Sequence, residues 1–325
     1  MKALIFGISG QDGAYLANYL LDMGYDIVGV SRDAQNSHFW NLSTLGIEKN
    51  IIYKSASLND FRSVLQVIND IRPDEIYNLS GQSSVGLSFE LPIETIESIT
   101  LGTINILEAI RFLKVPAKIY NACSSECFGD VGSAIADENT PFNPRSPYAV
   151  AKAAAYWATA NYREAYDIYA CTGILFNHDS PLRPERFVTQ KIIRAACRIA
   201  KGSTEILNLG NIDVVRDWGW APEYVKAMHL MTQQDQPDDY VIATGKSYPL
   251  EDFIRAAFKY FDLDWEKHIR LNKELLRPSD IKFSRANPSK AESVLRWRAE
   301  YDMYDVVRKM IEQNPKGRCT RLQSC

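Results

Sequence analysis

Tyr148 and Lys152 stand four residues apart in the segment Tyr148-Ala149-Val150-Ala151-Lys152. On a helix that spacing puts both side chains on one face. An ammonium beside a phenol lowers the phenol's pKa, so the pair can take a proton from a hydroxyl and return it. About one strand-loop-helix unit upstream lie Ser124, Ser125 and Glu126. Ser124 can share the proton of an alcohol. Glu126 adds a second, independent acid and base. Tyrosine and lysine alone point to alcohol–ketone redox chemistry; the glutamate points to a proton moved at another carbon. The bland readings are a surface tyrosine, a solvated lysine, a core serine and a capping glutamate.

Such chemistry needs a rigid frame, and the chain spells one out. Met1–Phe6 is an apolar strand, Gly7–Gly13 a glycine-rich turn, Ala14–Met23 has helical periodicity, and Asp26–Val30 is a second strand. Further strands are expected at Asn50–Lys54, Glu75–Leu79, Lys118–Cys123 and Ile168–Leu175, with helices at Thr103–Leu113 and Ala149–Ala165. This alternation predicts an α/β fold, a Rossmann-type doubly wound parallel sheet with helices on both faces. After about Phe176 the pattern is less regular and richer in proline, arginine and charge. Residues 1–177 therefore read as a dinucleotide-binding domain. Residues 178–325 read mainly as a smaller α/β substrate lobe, with some segments returning to the sheet. The tail Lys316–Cys325 is polar and expected to fray.

Composition narrows the classes. The 325 residues are 46% hydrophobic and 24% charged, enough for one large core or two lobes. A net charge of −3 gives no electrostatic case for nucleic acid or an anionic membrane surface. No run approaches the ~18 apolar residues of a membrane helix. Residues 1–8 read as a core strand rather than a signal peptide. Several of the six cysteines fall in core-patterned segments, which suits reduced thiols and a cytoplasmic protein. Cys123 and Cys127 have no second pair or nearby histidine to complete a metal site, so none is expected.

Gly7, Gly10 and Gly13 follow the first strand and open a helix as GxxGxxG. Glycines let the backbone approach a pyrophosphate, and the helix N-terminus supplies oriented N–H groups. The second strand ends in Ser31-Arg32-Asp33. Arg32 suits the 2′-phosphate of NADP and Asp33 the free ribose of NAD; the balance favours NADP. Leu79-Ser80-Gly81-Gln82 follows another strand, where small residues let a cofactor ribose pass.

With these residues in hand, the chain from residue 1 to about 312 resembles the extended short-chain dehydrogenase/reductase family and, within it, the GDP-mannose 4,6-dehydratases. The matching segments are GISGQDGAYL (7–16), DEIYNL (74–79), SFELP (88–92), SPYAVAK (146–152), ILFNHDSP (174–181), FVTQKI (187–192), NLGNIDVVRDWG (208–219), YVIATG (240–245) and RPSD (277–280). The glycine turn and the Tyr/Lys pair mark only the superfamily. FNHDSP, FVTQKI and RDWG are narrower and point to a nucleotide-diphosphate sugar, GDP over UDP or dTDP.

The resemblance implies a substrate, GDP-α-D-mannose, and a product, GDP-4-keto-6-deoxymannose. It makes Tyr148 the base at the C4 hydroxyl, with Lys152 on the nicotinamide ribose and Ser124 on the C4 oxygen. Glu126 becomes the group that moves the C5 proton and expels C6 water. NADP would be tightly bound and recycled. Its contacts would come from Gly7, Gly10, Gln11, Asp12, Gly13, Arg32, Ser57, Leu58, Leu79, Ser80, Gly81, Gln82, Tyr148, Lys152, Leu175, Asn177, His178 and Arg183. The sugar nucleotide would meet Ser124, Glu126, Asn177, Val188, Lys191, Arg216, Arg277 and Asp280, where clustered cations suit a pyrophosphate. The family also implies a homodimer or homotetramer.

Several positions depart from the family pattern. Ser124 stands where a threonine is usual, losing the methyl that fixes the hydroxyl rotamer. Arg32 stands alone where a pair of arginines is usual, Ser57 where an acid is usual, and Asp280 where a glutamate is usual. The segment 34–45, with His38, Phe39 and Trp40, is atypical and could make a different oligomer contact. A dehydratase of another GDP-sugar such as a GDP-heptose, or an epimerase or 4-reductase on the same fold, would use many of the same residues. A catalytically silent NADP-binding regulator would not need Tyr148, Lys152 and Glu126 together.

Overall fold

The computed structural model describes residues 1–314, so Cys319, Cys325 and the expected fraying of 316–325 lie outside the described residues. Twelve strands run in chain order: β1 (Lys2–Phe6), β2 (Asp26–Ser31), β3 (Ile51–Ser55), β4 (Glu75–Asn78), β5 (Lys118–Ser124), β6 (Ala170–Leu175), β7 (Asn177–Asp179), β8 (Leu207–Leu209), β9 (Val215–Trp220), β10 (Asp239–Ile242), β11 (Ser247–Pro249) and β12 (Ile269–Leu271). Seven form one parallel sheet in the order β10-β6-β5-β4-β1-β2-β3. β11, β9 and β7 form a small second sheet, and β12 pairs with β8.

Both faces of the large sheet are buried, which explains its uninterrupted apolar strands. On β1, Ala3 and Ile5 pack with the helices Gln11–Asp22 and Ala221–Thr232, whereas Leu4 and Phe6 pack with Phe61–Ile71 and Gly102–Leu113. Burying each such side chain stabilises by roughly 1.5–3 kcal/mol. A second core gathers Ile192, Ile193 and Ala196 of the helix Val188–Ala200 with Phe253 and Phe258 of Leu250–Lys259, Val306 and Met310 of Met303–Glu312, and Trp218 and Trp220 of β9. Two segments from beyond residue 178 join the large sheet's layers: β10 on its edge, and Ala221–Thr232 against Gln11–Asp22.

Strand order reverses at β1, so the loops after β1 and β4 diverge and leave a crevice at the carboxyl edge. Every predicted cofactor segment up to Asn177 leaves the sheet at that edge. Gly7 follows β1, Arg32 β2, Ser57 β3, Leu79 β4, and Asn177 follows β6 after one residue; Ser124 ends β5 beside Leu175.

In the atypical segment 34–45 one of the three aromatics is not available for the expected oligomer contact. Phe39 is buried and stacks on Tyr53 with ring centroids 4.2 Å apart, so it belongs to the core; His38 and Trp40 are exposed. Cys123, Cys127 and Cys171 are buried free thiols. Among the described residues, no helix is long and apolar enough to cross a membrane. Nor do any three His, Cys, Asp or Glu side chains cluster to hold a metal.

Candidate active site

The helix Pro147–Tyr166 begins where Ser146 accepts a hydrogen bond from the Ala149 N–H, with Pro147 in the first turn. That start puts Tyr148 at the helix mouth and Lys152 one turn further, both buried and facing the end of β5. Lys152 Nζ donates to the Ala122 carbonyl at 2.6 Å and lies 6.0 Å from the Tyr148 ring centre. Ser124 caps a short 3₁₀ turn, Ser125–Phe128, by accepting from the Glu126 N–H at 3.3 Å. The cap orients Glu126 into the same cleft as Ser124, Tyr148 and Lys152.

Burial raises the Tyr148 phenol above its ordinary value, and the Ser124 hydrogen bond draws it down. Burial in turn lowers Lys152. The bond to Ala122 uses one of the three Lys152 N–H donors. Burial also raises Glu126, against the downward pull of Arg216 and Arg277. A carboxylic acid raised in this way can hold and release a proton nearer neutral pH.

The glycine turn is shaped as a cradle. Gly7 has φ +85°, and a Cβ on it would lie 2.7 Å from the Leu79 carbonyl oxygen; one on Gly13 would lie 2.3 Å from the Gly7 oxygen. The turn thus closes tightly on Leu79-Ser80. Gly10 gives the following twelve-residue helix no side-chain cap, leaving its first N–H groups for an anion. These residues fit a dinucleotide pyrophosphate.

Gln11 and Asp12 tie this turn to β7. Gln11 donates to the His178 carbonyl at 3.2 Å and accepts from Ser180 at 2.8 Å. His178 Nε2 meets the Asp12 carboxylate at 2.9 Å, and its Nδ1 meets the Phe176 carbonyl at 2.7 Å. Both ring nitrogens face acceptors, so the ring is held as imidazolium. Burial alone would raise Asp12, but His178, Gln11 and Arg183 bring it down to about 2. Burial alone would lower His178, but Asp12 raises it. Asp12 therefore stabilises the fold above its ordinary 3.8 and loses that contribution as pH falls through about 2. His178 contributes fully below its ordinary 6.5 and loses it as pH rises through its higher folded value. Asp12→Asn is expected to cost about 1–3 kcal/mol between pH ~4 and ~6, and less above the His178 folded pKa. Urea titrations across pH check this; a cost that does not vary with pH would sink the ion-pair account.

The sugar-nucleotide side is built by β9 and two loops. Arg216 is buried, donating to the Val215 carbonyl at 2.9 Å and the Ile281 carbonyl at 2.6 Å, and lies 3.4 Å from Asp280. Arg277 lies 3.5 Å from the same carboxylate. Lys191 projects from the first turn of Val188–Ala200. Asn177, Arg183, Val188, Lys191, Arg216, Arg277 and Asp280 all line one cleft of about 420 Å³ with Ser124, Glu126, Tyr148 and Lys152. That volume lies in the range of small-molecule sites.

Asp12, Leu79, Ser80, Gly81, Gln82, Leu175 and His178 also line it. Arg32, Ser57, Leu58, Gly7, Gly10, Gln11 and Gly13 do not line this cleft. Leu58 packs 3.1 Å from where Gly102 would carry a Cβ, and its carbonyl accepts from Asn105 at 2.6 Å. Sequence reasoning missed Arg186, Phe187, Asn208, Asn211 and Ser84, which line the cleft as well. Asn208 and Asn211 sit inside the NLGNIDVVRDWG segment, and Arg186 beside FVTQKI, so their neighbours carried the available signal.

Residues 4–310 match the family described as GDP-mannose 4,6 dehydratase. GDP-mannose 4,6 dehydratase 1 of Arabidopsis thaliana is 42% identical over 322 residues, covering 96% of this chain and 89% of that protein. The GDP-mannose 4,6-dehydratase of Yersinia enterocolitica is 40% identical over 347 residues, covering 95% and 92%. Among solved structures, the Thermus thermophilus UDP-glucose 4-epimerase complex with NAD superposes with a TM-score of 0.85 at 23% identity, covering 97% of this chain and 99% of that one. The Bacillus anthracis dTDP-glucose 4,6-dehydratase complex with NAD gives 0.85 at 17%, covering 98% and 97%. The two solved structures share the fold. The matched family model and the near-full-length relatives go further: this protein belongs to the GDP-mannose 4,6-dehydratase family.

Proposed function

We propose that the protein converts GDP-α-D-mannose to GDP-4-keto-6-deoxy-D-mannose and water. The observation that carries this is Glu126 in one cleft with Ser124, Tyr148 and Lys152, opposite Arg216 and Arg277. An epimerase or reductase needs the first three and not the carboxyl group.

Bound NADP would supply a hydride acceptor at C4 and later a hydride donor at C6. The glycine cradle and the uncapped helix would hold its pyrophosphate, and Lys152 its ribose. Ser124 would orient the C4 hydroxyl toward Tyr148. Tyr148 would accept the hydroxyl proton as phenolate, so it must first lose its own proton, which the nearby Lys152 ammonium and the cationic nicotinamide ring of bound NADP would favour. The C4 ketone acidifies C5–H. Glu126 would remove that proton and deliver it to the leaving C6 hydroxyl, expelling water. C5 would be reprotonated from solvent as C6 receives hydride, and Tyr148 would return the C4 proton to solvent, so that no net proton is gained or lost. Lys191, Arg216 and Arg277 would offset the substrate diphosphate, with Asp280 holding the two guanidinium groups and accepting from the nucleoside. Residues 178–325 would form most of this subsite.

NADP is preferred to NAD on local grounds. The Asp33 carboxylate is used by its own loop, accepting from Gln35 N, Asn36 N and Asn36 Nδ2. Arg32 is exposed and makes no hydrogen bond or ion pair among the described residues. It is available to a 2′-phosphate, whereas Asp33 is occupied. Arg32→Ala is expected to weaken NADP by roughly 10–100-fold and NAD far less. Calorimetry with each dinucleotide checks this; equal losses would remove Arg32 from the readout.

Self-association is proposed with it, as a homodimer or homotetramer. Ile93, Leu101 and Phe112 on one helical stretch and Val150 and Trp157 on the helix Pro147–Tyr166 are exposed apolar side chains. A cytoplasmic location is proposed on the buried free thiols at Cys123, Cys127 and Cys171.

The test is mass spectrometry of the purified protein incubated with GDP-mannose and no added cofactor. A product lighter by one water establishes dehydration with a co-purified dinucleotide. Unchanged GDP-mannose, even with NADP added, would redirect the assignment to another GDP-sugar.

A further inference from the structure

Cys123 and Cys127 bracket the segment that carries Ser124 and Glu126, and no step above uses them. Both are free thiols, with Sγ atoms 3.5 Å apart. Cys123 lines the cleft near the end of β5; Cys127 is fully buried in the 3₁₀ turn. Their other contacts are weak thiol–carbonyl ones, to Lys152 at 3.7 Å from Cys123 and to Ala149 at 3.6 Å from Cys127.

A disulfide requires its sulfurs at about 2.0 Å, roughly 1.5 Å closer than here. β5 is fixed by strands on both sides. The Ser125–Phe128 turn has fewer restraints, notably Gly129 N to the Glu126 carbonyl at 3.2 Å and Asn143 N to the Cys127 carbonyl at 2.8 Å. Closure therefore moves the turn, and Glu126 rides on it.

We propose that Cys123 and Cys127 form a reversible disulfide that draws Glu126 out of register, making the active site sensitive to peroxide. The switching half rests on the role of Glu126 proposed above; the disulfide does not. Cys123 ionises and its thiolate attacks a peroxide oxygen, the O–O bond breaks, and a sulfenic acid and hydroxide form, the hydroxide taking the proton Cys123 released to give one water. Cys127 sulfur then attacks the sulfenic sulfur, the S–O bond breaks, and its thiol proton leaves with hydroxide as a second water. Two thiols lose two electrons and one peroxide gains them. Burial alone would raise the Cys123 thiol, but the Cys127 hydrogen bond and the Lys152 charge lower it, whereas burial raises Cys127. That ordering suits Cys123 as attacker and Cys127 as resolver.

Trypsin releases Ile119–Arg145, which contains these two cysteines and no others. After hydrogen peroxide, that peptide is expected to be lighter by two hydrogens and to resist alkylation until treated with dithiothreitol. Oxidation of the exposed Met23 serves as the dose control. Dehydration by the whole protein is expected to fall about tenfold or more and to return on reduction, while in Cys127→Ser and Cys127→Ala the same peptide is expected to gain oxygen at Cys123 in place of the crosslink. In the unsubstituted protein, sulfinic or sulfonic acid at Cys123 without a crosslink overturns the proposal, as does an unmodified peptide once Met23 is oxidised. A crosslink with unchanged dehydration overturns the switch. Assaying the reduced protein first separates the two readings: if it does not dehydrate GDP-mannose, the functional reading fails, and the peptide map still decides the disulfide.

Discussion

Glu126→Gln is expected to oxidise GDP-mannose at C4 and then stop. Glutamine keeps the size and hydrogen-bonding reach of glutamate but cannot take the C5 proton. In the proposed sequence the first step does not need that proton, because Tyr148 and Ser124 would act at C4. Mixing the variant with GDP-mannose should raise the near-ultraviolet absorbance of reduced nicotinamide, while 6-deoxy product forms ~10²–10⁴-fold more slowly. Wild type should show little standing absorbance, since its cofactor returns the hydride. In wild type the raised Glu126 pKa sets the sign of the pH response: as pH falls through it, the carboxylate is lost and elimination slows before oxidation does. Normal product formation by the variant would remove Glu126 from the reaction, and absence of any reduced cofactor would place it in the first step instead.

Much of this arrangement was legible because its causes are local. The apolar run of β1 and the glycines after it sit within a dozen residues, so period and turn chemistry reveal them. Tyr148 and Lys152 lie within one helix, where a spacing of four fixes a shared face. The helix Pro147–Tyr166 starts two residues before its expected start because Ser146-Pro147 form a cap and first turn. What the sequence did not disclose depends on contacts between distant segments. β10 lies more than sixty residues after β6 yet pairs with it, and no period announces that return. Phe39 looked free for an oligomer contact until Tyr53 covered it. That Lys152 Nζ also reaches the Ala122 carbonyl, 30 residues away, is something no helical spacing announces. The pairing of Asp12 with His178 spans 166 residues. The motif matches carried both residues as cofactor contacts without indicating that they bond each other.

Tyr148→Phe is expected to block the pathway one step earlier than Glu126→Gln. Phenylalanine keeps the ring, which packs with Ile99, Ala151 and Ala155, so the fold should hold. Only the hydroxyl is lost, and with it the group that receives the C4 proton. Ser124 would remain beside the substrate, but an aliphatic hydroxyl is a poor base, and Lys152, as an ammonium, has no lone pair to take a proton. Hydride cannot leave C4 readily unless the proton leaves with it. The rate should fall by ~10²–10⁴-fold, with neither reduced nicotinamide nor 6-deoxy sugar accumulating. GDP-mannose binding should change little, because Lys191, Arg216 and Arg277, the proposed diphosphate contacts, are untouched. The contrast between variants is the stronger test. Stopped-flow absorbance should rise and persist for Glu126→Gln and stay flat for Tyr148→Phe, at equal occupancy by GDP-mannose. A persistent rise in Tyr148→Phe would show that another group takes the C4 proton. A flat trace in both would mean that the two side chains serve one step, and the two-stage division of the cleft would be wrong.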